Sequence, residues 1–323
     1  MTGCVDSFEV IAKAIAGASS VAICAHVDPD GDAMGSVLGL SAMLERLGKT
    51  VVPLLANGSS APSTYSFLPG ANTLRAPGDA PACDLFIALD APDPVRLGDA
   101  REAALASHSL IVIDHHPDNR CYGHINLVDP TAAATGEMLW RLLPALGLAP
   151  DATIATCLFT ALMTDTGRFS YSNTTPEALR SAAEMIEAGA NVSDLFRQVY
   201  ESRTPGALAL VARTLSRMTR ANNDAVIYSW VTPDDFVETG ALPEETENLI
   251  DEIRVVRDIE AVALLKVGEN SVRVSLRSKN GHDVGAVART FGGGGHRAAA
   301  GFTREGTLES VLAELLPLMP GGS

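Results

Sequence analysis

Positive charge is scarce in this chain. Its 24 lysines and arginines stand against 39 aspartates and glutamates, a formal net charge of −15 over 323 residues. That balance excludes a protein that coats long nucleic acid by neutralising phosphates, which needs a broad basic surface. It leaves room for a small phosphorylated substrate at one local site, where metal ions or a few placed arginines supply the positive charge. Lysine is the rarer cation, present only as Lys13, Lys49, Lys266 and Lys279. Cysteine is sparse too: Cys4, Cys24, Cys83, Cys121 and Cys157 show no C-x-x-C spacing. They read as free, mostly buried thiols in a reducing compartment. No apolar run approaches the ~20 residues of a membrane span. The N-terminal MTGCVDSFEV has no basic segment followed by an apolar run, so no signal peptide is expected. These absences predict a soluble, cytoplasmic protein with neither membrane nor long nucleic acid as partner.

What is present is ordinary globular material, 46% apolar and 20% charged, in a length that suggests two domains of roughly 150 residues. Ser7 can cap a short helix carrying Phe8, Ile11 and Ile15. VAICAH (21–26), VVPLL (51–55), DLFIALD (84–90) and LIVIDHH (110–116) read as strands, and 33–47 follows a helical period up to Gly48. Alternation of strand and helix predicts a parallel sheet with helices on both faces. Helices are expected near 135–146, 151–163, from Thr175 onward, and as a connector over 203–220. ANND (221–224) has turn chemistry. Beyond it come strands at 226–231, 261–267 and 271–278, a helix near 284–291, then FGGGGH, AAAGF and a last helix near 307–318. The fold class is therefore α/β: an N-terminal doubly wound, mostly parallel sheet, then a smaller C-terminal α/β domain.

Three strands of the first half end in residues that ligate metals. VAICAH runs into His26-Val-Asp28-Pro-Asp30-Gly-Asp32, LFIAL into Asp90, and LIVI into Asp114-His115-His116. Ligands of open parallel sheets bind outside the carboxyl ends of the strands, so His26, Asp30, Asp32, Asp90 and His115 converge on one crevice. Asp165, at the end of the apolar helix CLFTALMT, is a further acid. A single Asp after a strand is usually a turn or cap residue. Adjacent imidazoles among carboxylates are harder to place without a cation. Two divalent ions sharing a carboxylate suit phosphoryl displacement, and mixed imidazole and carboxylate ligation favours a first-row ion such as Mn²⁺.

In the second half, four glycines precede His296 and Arg297. Such a run is by default a linker, but this one sits inside a domain, where its backbone can approach phosphate oxygens. SVRVSLRSKN alternates: Val272, Val274 and Leu276 point one way, Arg273, Ser275 and Arg277 the other. Either this is a solvated strand face, or Arg277 and Ser278 grip a terminal phosphate.

AHVDPDGDAMGS, FIALD, VIDHHPDN, LMTDTGRFSYSN and GGGGHRAAAGF, taken in order, resemble the successive motifs of DHH/DHHA1 phosphoesterases. The likeness spans nearly the whole chain and is nearest to the nanoRNase/pAp phosphatase subfamily. It implies a DHH domain over 1–190, a helical linker over 191–224 and a DHHA1 substrate-binding domain over 225–323. It implies hydrolysis of very short oligonucleotides and linear dinucleotides to mononucleotides, and of 3′-phosphoadenosine 5′-phosphate (pAp) to AMP and phosphate, by two-metal activation of water. His26, Asp30 and Asp90 would hold one ion. Asp32, Asp90, His115 and Asp165 would hold the other, with Asp90 bridging and catalytic. His116 would face the scissile phosphate, and Asp114 would orient an imidazole. Asn119, Arg277, Ser278, Gly293, Gly294, Gly295, His296 and Arg297 would bind substrate. The ions would be Mn²⁺, with Mg²⁺ or Co²⁺ as alternatives, and a homodimer is left open. Other readings stay open here: a cyclic-dinucleotide phosphodiesterase, an exopolyphosphatase or pyrophosphatase, or a nucleotide sensor without turnover.

Overall fold

The structure, a computed structural model, describes residues 6–58, 60–79, 82–246 and 248–322. The chain divides into two units, Met1–Ser202 and Arg203–Ser323.

The first unit opens with α1 (Phe8–Gly17), capped by the Ser7 hydroxyl, which accepts the Val10 N–H. Ile11 and Ile15, one turn apart, are fully buried, worth about 1.5–3 kcal/mol each. There follow β1 (Ser20–Cys24), α2 (Gly31–Arg46), β2 (Thr50–Leu54), β3 (Leu85–Leu89), α3 (Arg101–Ala106), β4 (Leu110–Asp114), β5 (Ile125–Val128), α4 (Thr135–Leu142), α5 (Ala152–Asp165), α6 (Pro176–Glu187) and α7 (Val192–Tyr200). The sheet order is β2-β1-β3-β4-β5, and every pairing is parallel. Alternate residues serve two cores, as the pleat requires. Val21, Ile23, Ile87, Leu89, Ile111 and Ile113 join residues of α1, α2, α4 and α5. Ala22, Cys24, Phe86, Ala88 and Val112 pack with Leu97, Ala100 and Ala104 on the other face. The strand order reverses between β1 and β3, and a crevice forms at the carboxyl ends of strands at such a switch. Sequence reading missed β5, a four-residue edge strand in which only Leu127 is buried and Asn126 interrupts the apolar run.

Helices α2 and α5 lie in close contact because α2 carries small residues where they meet. A Cβ on Gly35 would sit 2.4 Å from the Cys157 carbonyl oxygen, and one on Gly39 2.5 Å from Leu158. This approach brings the start of α2 to the end of α5.

The second unit contains α8 (Pro205–Ser216), β6 (Thr219–Ala221), β7 (Val226–Val231), α9 (Pro233–Thr239), α10 (Leu249–Arg254), β8 (Ala261–Val267), β9 (Ser271–Ser278), α11 (Val284–Thr290), β10 (Gly294–Gly295), β11 (Ala299–Glu305) and α12 (Leu308–Leu315). Its sheet runs β10-β11-β9-β8-β7-β6; β7 and β8 are parallel and the other pairs antiparallel. The connector helix expected to 220 stops at Ser216, because Thr219–Ala221 pairs with β7 through a hairpin. Asn222, Asn223 and Asp224 make that turn with φ of 54°, 55° and 67°, a conformation Asn and Asp tolerate best among residues with a Cβ. Val272, Val274 and Leu276 are buried on one face of β9, as their alternation predicts.

Cys24 and Cys157 are buried free thiols and Cys83 is a partly exposed one. Cys121 is disulfide-bonded, which corrects the expectation of five free thiols; the absence of a C-x-x-C spacing does not exclude a disulfide. Among the described residues, no helix is long and apolar enough to cross a membrane.

Candidate metal centre

The carboxyl edge of the first sheet gathers its acids and imidazoles for local reasons. His26 lies just beyond β1, and its Nδ1 faces the Val27 carbonyl at 2.8 Å, which turns Nε2 inward. Asp30 is the N-cap of α2 and accepts the Ala33 N–H at 3.0 Å. Asp32 follows in the first turn. Asp90 follows β3 directly, with φ of 52°, a left-handed kink that a non-glycine residue adopts at a cost; its N–H donates to Ile113 O at 3.0 Å. His115 follows β4 directly, with Nδ1 3.3 Å from Ala132 O. Asp165 is the last residue of α5.

Around Asp90 these side chains form two groups. His26, Asp30 and Asp90 offer one set of ligand atoms within 4.8 Å of one another, and Asp32, Asp90 and His115 another. The His26 Nε2 is 3.7 Å from Asp30 and 3.4 Å from Asp90 Oδ2. The His115 Nε2 is 3.6 Å from Asp32, 3.5 Å from Asp90 Oδ1 and 3.6 Å from Asp165. The two oxygens of Asp90 thus face different imidazoles. Five carboxylates, counting Asp114, crowd a region where Asp32, Asp90, Asp114 and His115 are almost wholly buried.

Electrostatics follow from that crowding. Burial pushes Asp32 well above the usual carboxylate range and Asp90 pushes it further, while His115 opposes. Burial would also raise Asp90, but His26 and His116 outweigh it and hold that carboxyl below its usual range. Burial acts to lower His26, yet Asp30 and Asp90 lift it to about 10. Divalent cations would relieve the repulsion at Asp32, and the mixed nitrogen and oxygen donors suit a first-row ion. The donor set therefore fits a metal pair, and Asp90 belongs to both groups.

His116 borders these groups, with Nδ1 3.4 Å from Asp90 Oδ1, but its shortest contacts are to Asp114. Its Nδ1 is 2.8 Å from Asp114 Oδ1, and its N–H donates to the same oxygen at 3.1 Å. Burial works against charge on both; their mutual attraction wins, holding Asp114 down at about 2 and lifting His116 to about 10. Asn119 turns its amide inward, to Asp114.

Several contributors escaped sequence reading. Asp32 accepts the Thr135 N–H at 2.7 Å, the Gly136 N–H at 2.9 Å and the Ser36 hydroxyl at 3.0 Å. One signal was available: α4 begins after Ala134, which has no side chain to cap it, so its first N–H groups need an acceptor from elsewhere. Asn173 donates to the Asp165 backbone at 3.1 Å and to Ala133 O at 3.0 Å.

In the second unit, the glycine run is ordered. Gly294–Gly295 is a strand paired with β11, and the Gly293 N–H donates to Ala288 O at 2.9 Å. A Cβ on Gly293 would lie 2.2 Å from Gly301 O, so glycine there permits close strand packing. Arg297 donates to Gly281 O at 2.9 and 3.1 Å, and the Ser278 N–H to Ala298 O at 2.8 Å. The segments around 278–284 and 294–298 therefore run against each other. The Nε of Arg277, the hydroxyl of Ser278 and the Nε2 of His282 are buried with no hydrogen-bond partner among the described residues. Buried polar atoms of this kind call for a ligand or water. His282 is a position sequence reading passed over.

Residues 20–162 match the model of the DHH family N-terminal domain, and residues 223–319 that of the DHHA1 domain. The chain belongs to the DHH/DHHA1 phosphoesterase family. It is similar to the bifunctional oligoribonuclease and PAP phosphatase NrnA of Thermus thermophilus, 34% identical with 94% of this chain and 92% of that protein covered. The NrnA of Bacillus subtilis is 30% identical, with 85% and 86% covered. Among solved structures, an exopolyphosphatase-related protein from Bacteroides fragilis superposes with a TM-score of 0.86 at 25% identity, covering 95% of this chain and 93% of that one.

Proposed function

We propose that this protein is a metal-dependent phosphoesterase that cleaves very short oligonucleotides to mononucleotides and pAp to AMP and phosphate. The observation that carries the reading is Asp90, whose two oxygens face two separate ligand groups. His26, Asp30 and Asp90 would hold one ion; Asp32, Asp90, His115 and Asp165 the other. A cation pair of this kind polarises the scissile phosphate and stabilises the attacking and leaving oxygens of an in-line displacement. The imidazoles favour Mn²⁺ over Mg²⁺, with Co²⁺ as a further candidate. His116, held on its Nδ1 side by Asp114, contacts the phosphate through Nε2.

The second unit supplies substrate binding. Arg277, Ser278, His296 and Arg297, with the backbone of Gly293 to Gly295, hold phosphate or nucleotide there. The division of labour follows the domains read from the sequence, 1–190 for metals and 225–323 for substrate, joined by 191–224. The NrnA names of two relatives at 30% identity or more favour this substrate class over cyclic dinucleotides or polyphosphate. A sensor without turnover has no need of a complete ligand set. The charge of −15 disfavours long polyanions, and a cytoplasmic enzyme is consistent with substrates of this class.

The test is a turnover panel with purified protein and Mn²⁺: dinucleotides, pAp, cyclic dinucleotides and polyphosphate. Release of mononucleotides from dinucleotides and of phosphate from pAp is expected. Turnover of polyphosphate or cyclic dinucleotides alone would overturn the reading.

A further inference from the structure

Asn119 lies five residues beyond Asp114, in the loop that leaves β4. Its side chain is fully engaged inside the first unit. The Nδ2 donates to Asp114 Oδ2 at 2.5 Å, and Oδ1 accepts the Cys121 N–H at 2.7 Å. These two contacts fix the amide orientation chemically, since a backbone N–H needs an acceptor and a carboxylate needs a donor. Asp114 is completely buried. With Oδ2 occupied by Asn119, its other oxygen takes both the Nδ1 and the backbone N–H of His116. The same Asn119 amide lies 3.4 Å from the Ala91 carbonyl, which also accepts the Tyr122 hydroxyl at 3.0 Å. Ala91 directly follows Asp90, whose backbone is in the left-handed region.

The geometry points to Asn119 as a positioning residue: through Asp114 it fixes the His116 imidazole with Nδ1 inward and Nε2 toward the reacting phosphate, and it does not itself hold substrate. This rests on the phosphoesterase reading and revises the role expected for Asn119 from the sequence. The physical reason is rotational. A lone Asp–His hydrogen bond lets the carboxylate swing about its χ2; a second donor on the far oxygen removes that freedom.

Asn119→Asp tests it in the full chain. The carboxylate keeps an acceptor for Cys121 but replaces the donor facing Asp114 with a like charge. The probes are a dinucleotide and bis(p-nitrophenyl) phosphate, each with Mn²⁺, alongside metal content and Tm. The expected result is a fall in kcat of about 10- to 100-fold on both, with KM within about twofold and metal content unchanged. In a His116→Ala background the added Asn119→Asp should change kcat by less than about twofold, because residues acting through one another do not add. A rise in KM with kcat preserved would show a substrate contact and overturn the proposal. So would a full multiplicative loss in the double variant, or an Asn119→Asp protein with wild-type kcat. Should the wild type cleave the nitrophenyl ester but neither dinucleotides nor pAp, the substrate reading fails while the Asn119 comparison is still decided on the ester.

Discussion

Gly35 of α2 faces the Cys157 carbonyl of α5 so closely that a single added methyl would lie 2.4 Å from its oxygen and 2.9 Å from the Ala161 Cβ. Backbone stands on one side of this contact, so no rotamer change relieves it. Gly35→Ala should force α2 away from α5 and cost about 1–3 kcal/mol. Asp32 starts one helix and Asp165 ends the other, so their shared ligand group should loosen. The expected outcome is a lower Tm together with weaker binding of one Mn²⁺, read by thermal melts and metal titration.

Asp90→Asn removes the carboxylate that both groups share. An amide offers one oxygen and no charge, so both ions should be lost. Activity should fall by more than the about 100-fold typical of an outer-shell change, and elemental analysis should find neither metal. Chelation of the wild type should abolish turnover, with Mn²⁺ restoring more than Mg²⁺.

The adjacent histidines should separate cleanly. His115→Ala removes the imidazole that faces Asp32, Asp90 and Asp165 and should empty one ion position. His116→Ala, whose ring is tied to Asp114, should lower kcat and leave metal content intact. The opposite pattern in metal analysis would mean that their roles are exchanged.

Arg277→Ala in the second unit should weaken the binding of dinucleotides and pAp without changing metal content. A charge-assisted contact is worth about 1.5–3 kcal/mol, or roughly 10- to 150-fold in kcat/KM. His282→Ala, which removes another buried unpartnered nitrogen, should shift KM in the same direction. Steady-state kinetics on both substrates check this.

Asp235 should make the second unit sensitive to acid. It is buried and takes salt bridges from Arg213 and Arg217. Burial alone would raise it; the hydrogen bonds from Arg217, Thr232 and Arg213 prevail and hold it well below the usual range. A carboxyl with a depressed folded-state pKa stabilises above its unfolded value of about 3.9, and that contribution fades as pH falls through and below it. Asp235→Asn should cost on the order of 1.5–3 kcal/mol at neutral pH. Its deficit should shrink below about pH 4 in chemical-denaturation series across pH.

The sequence by itself determined the strands of the first sheet, the start of α2 and the acids and imidazoles at the strand ends. Those features are local: apolar runs of strand length, a capping Asp30 and the residues that follow each run carry their meaning within a few positions. Likewise the alternation along β9 announced its buried face. Tertiary structure decided the rest. Only the parallel order β2-β1-β3-β4-β5 sets Asp90 between His26 and His115, because neighbours in a sheet need not be neighbours in the chain. Only the contact of α2 with α5 brings Asp32 and Asp165 to one imidazole, and only the uncapped α4 explains why Asp32 accepts two backbone N–H groups. The short strands β5 and β6 were illegible because pairing, not propensity, creates them. The same holds for Asn119, where the side-chain amide reads as a loop residue until Asp114 lies opposite its nitrogen. Hydrogen-bond direction is a property of two partners in space, and a single residue type cannot encode it.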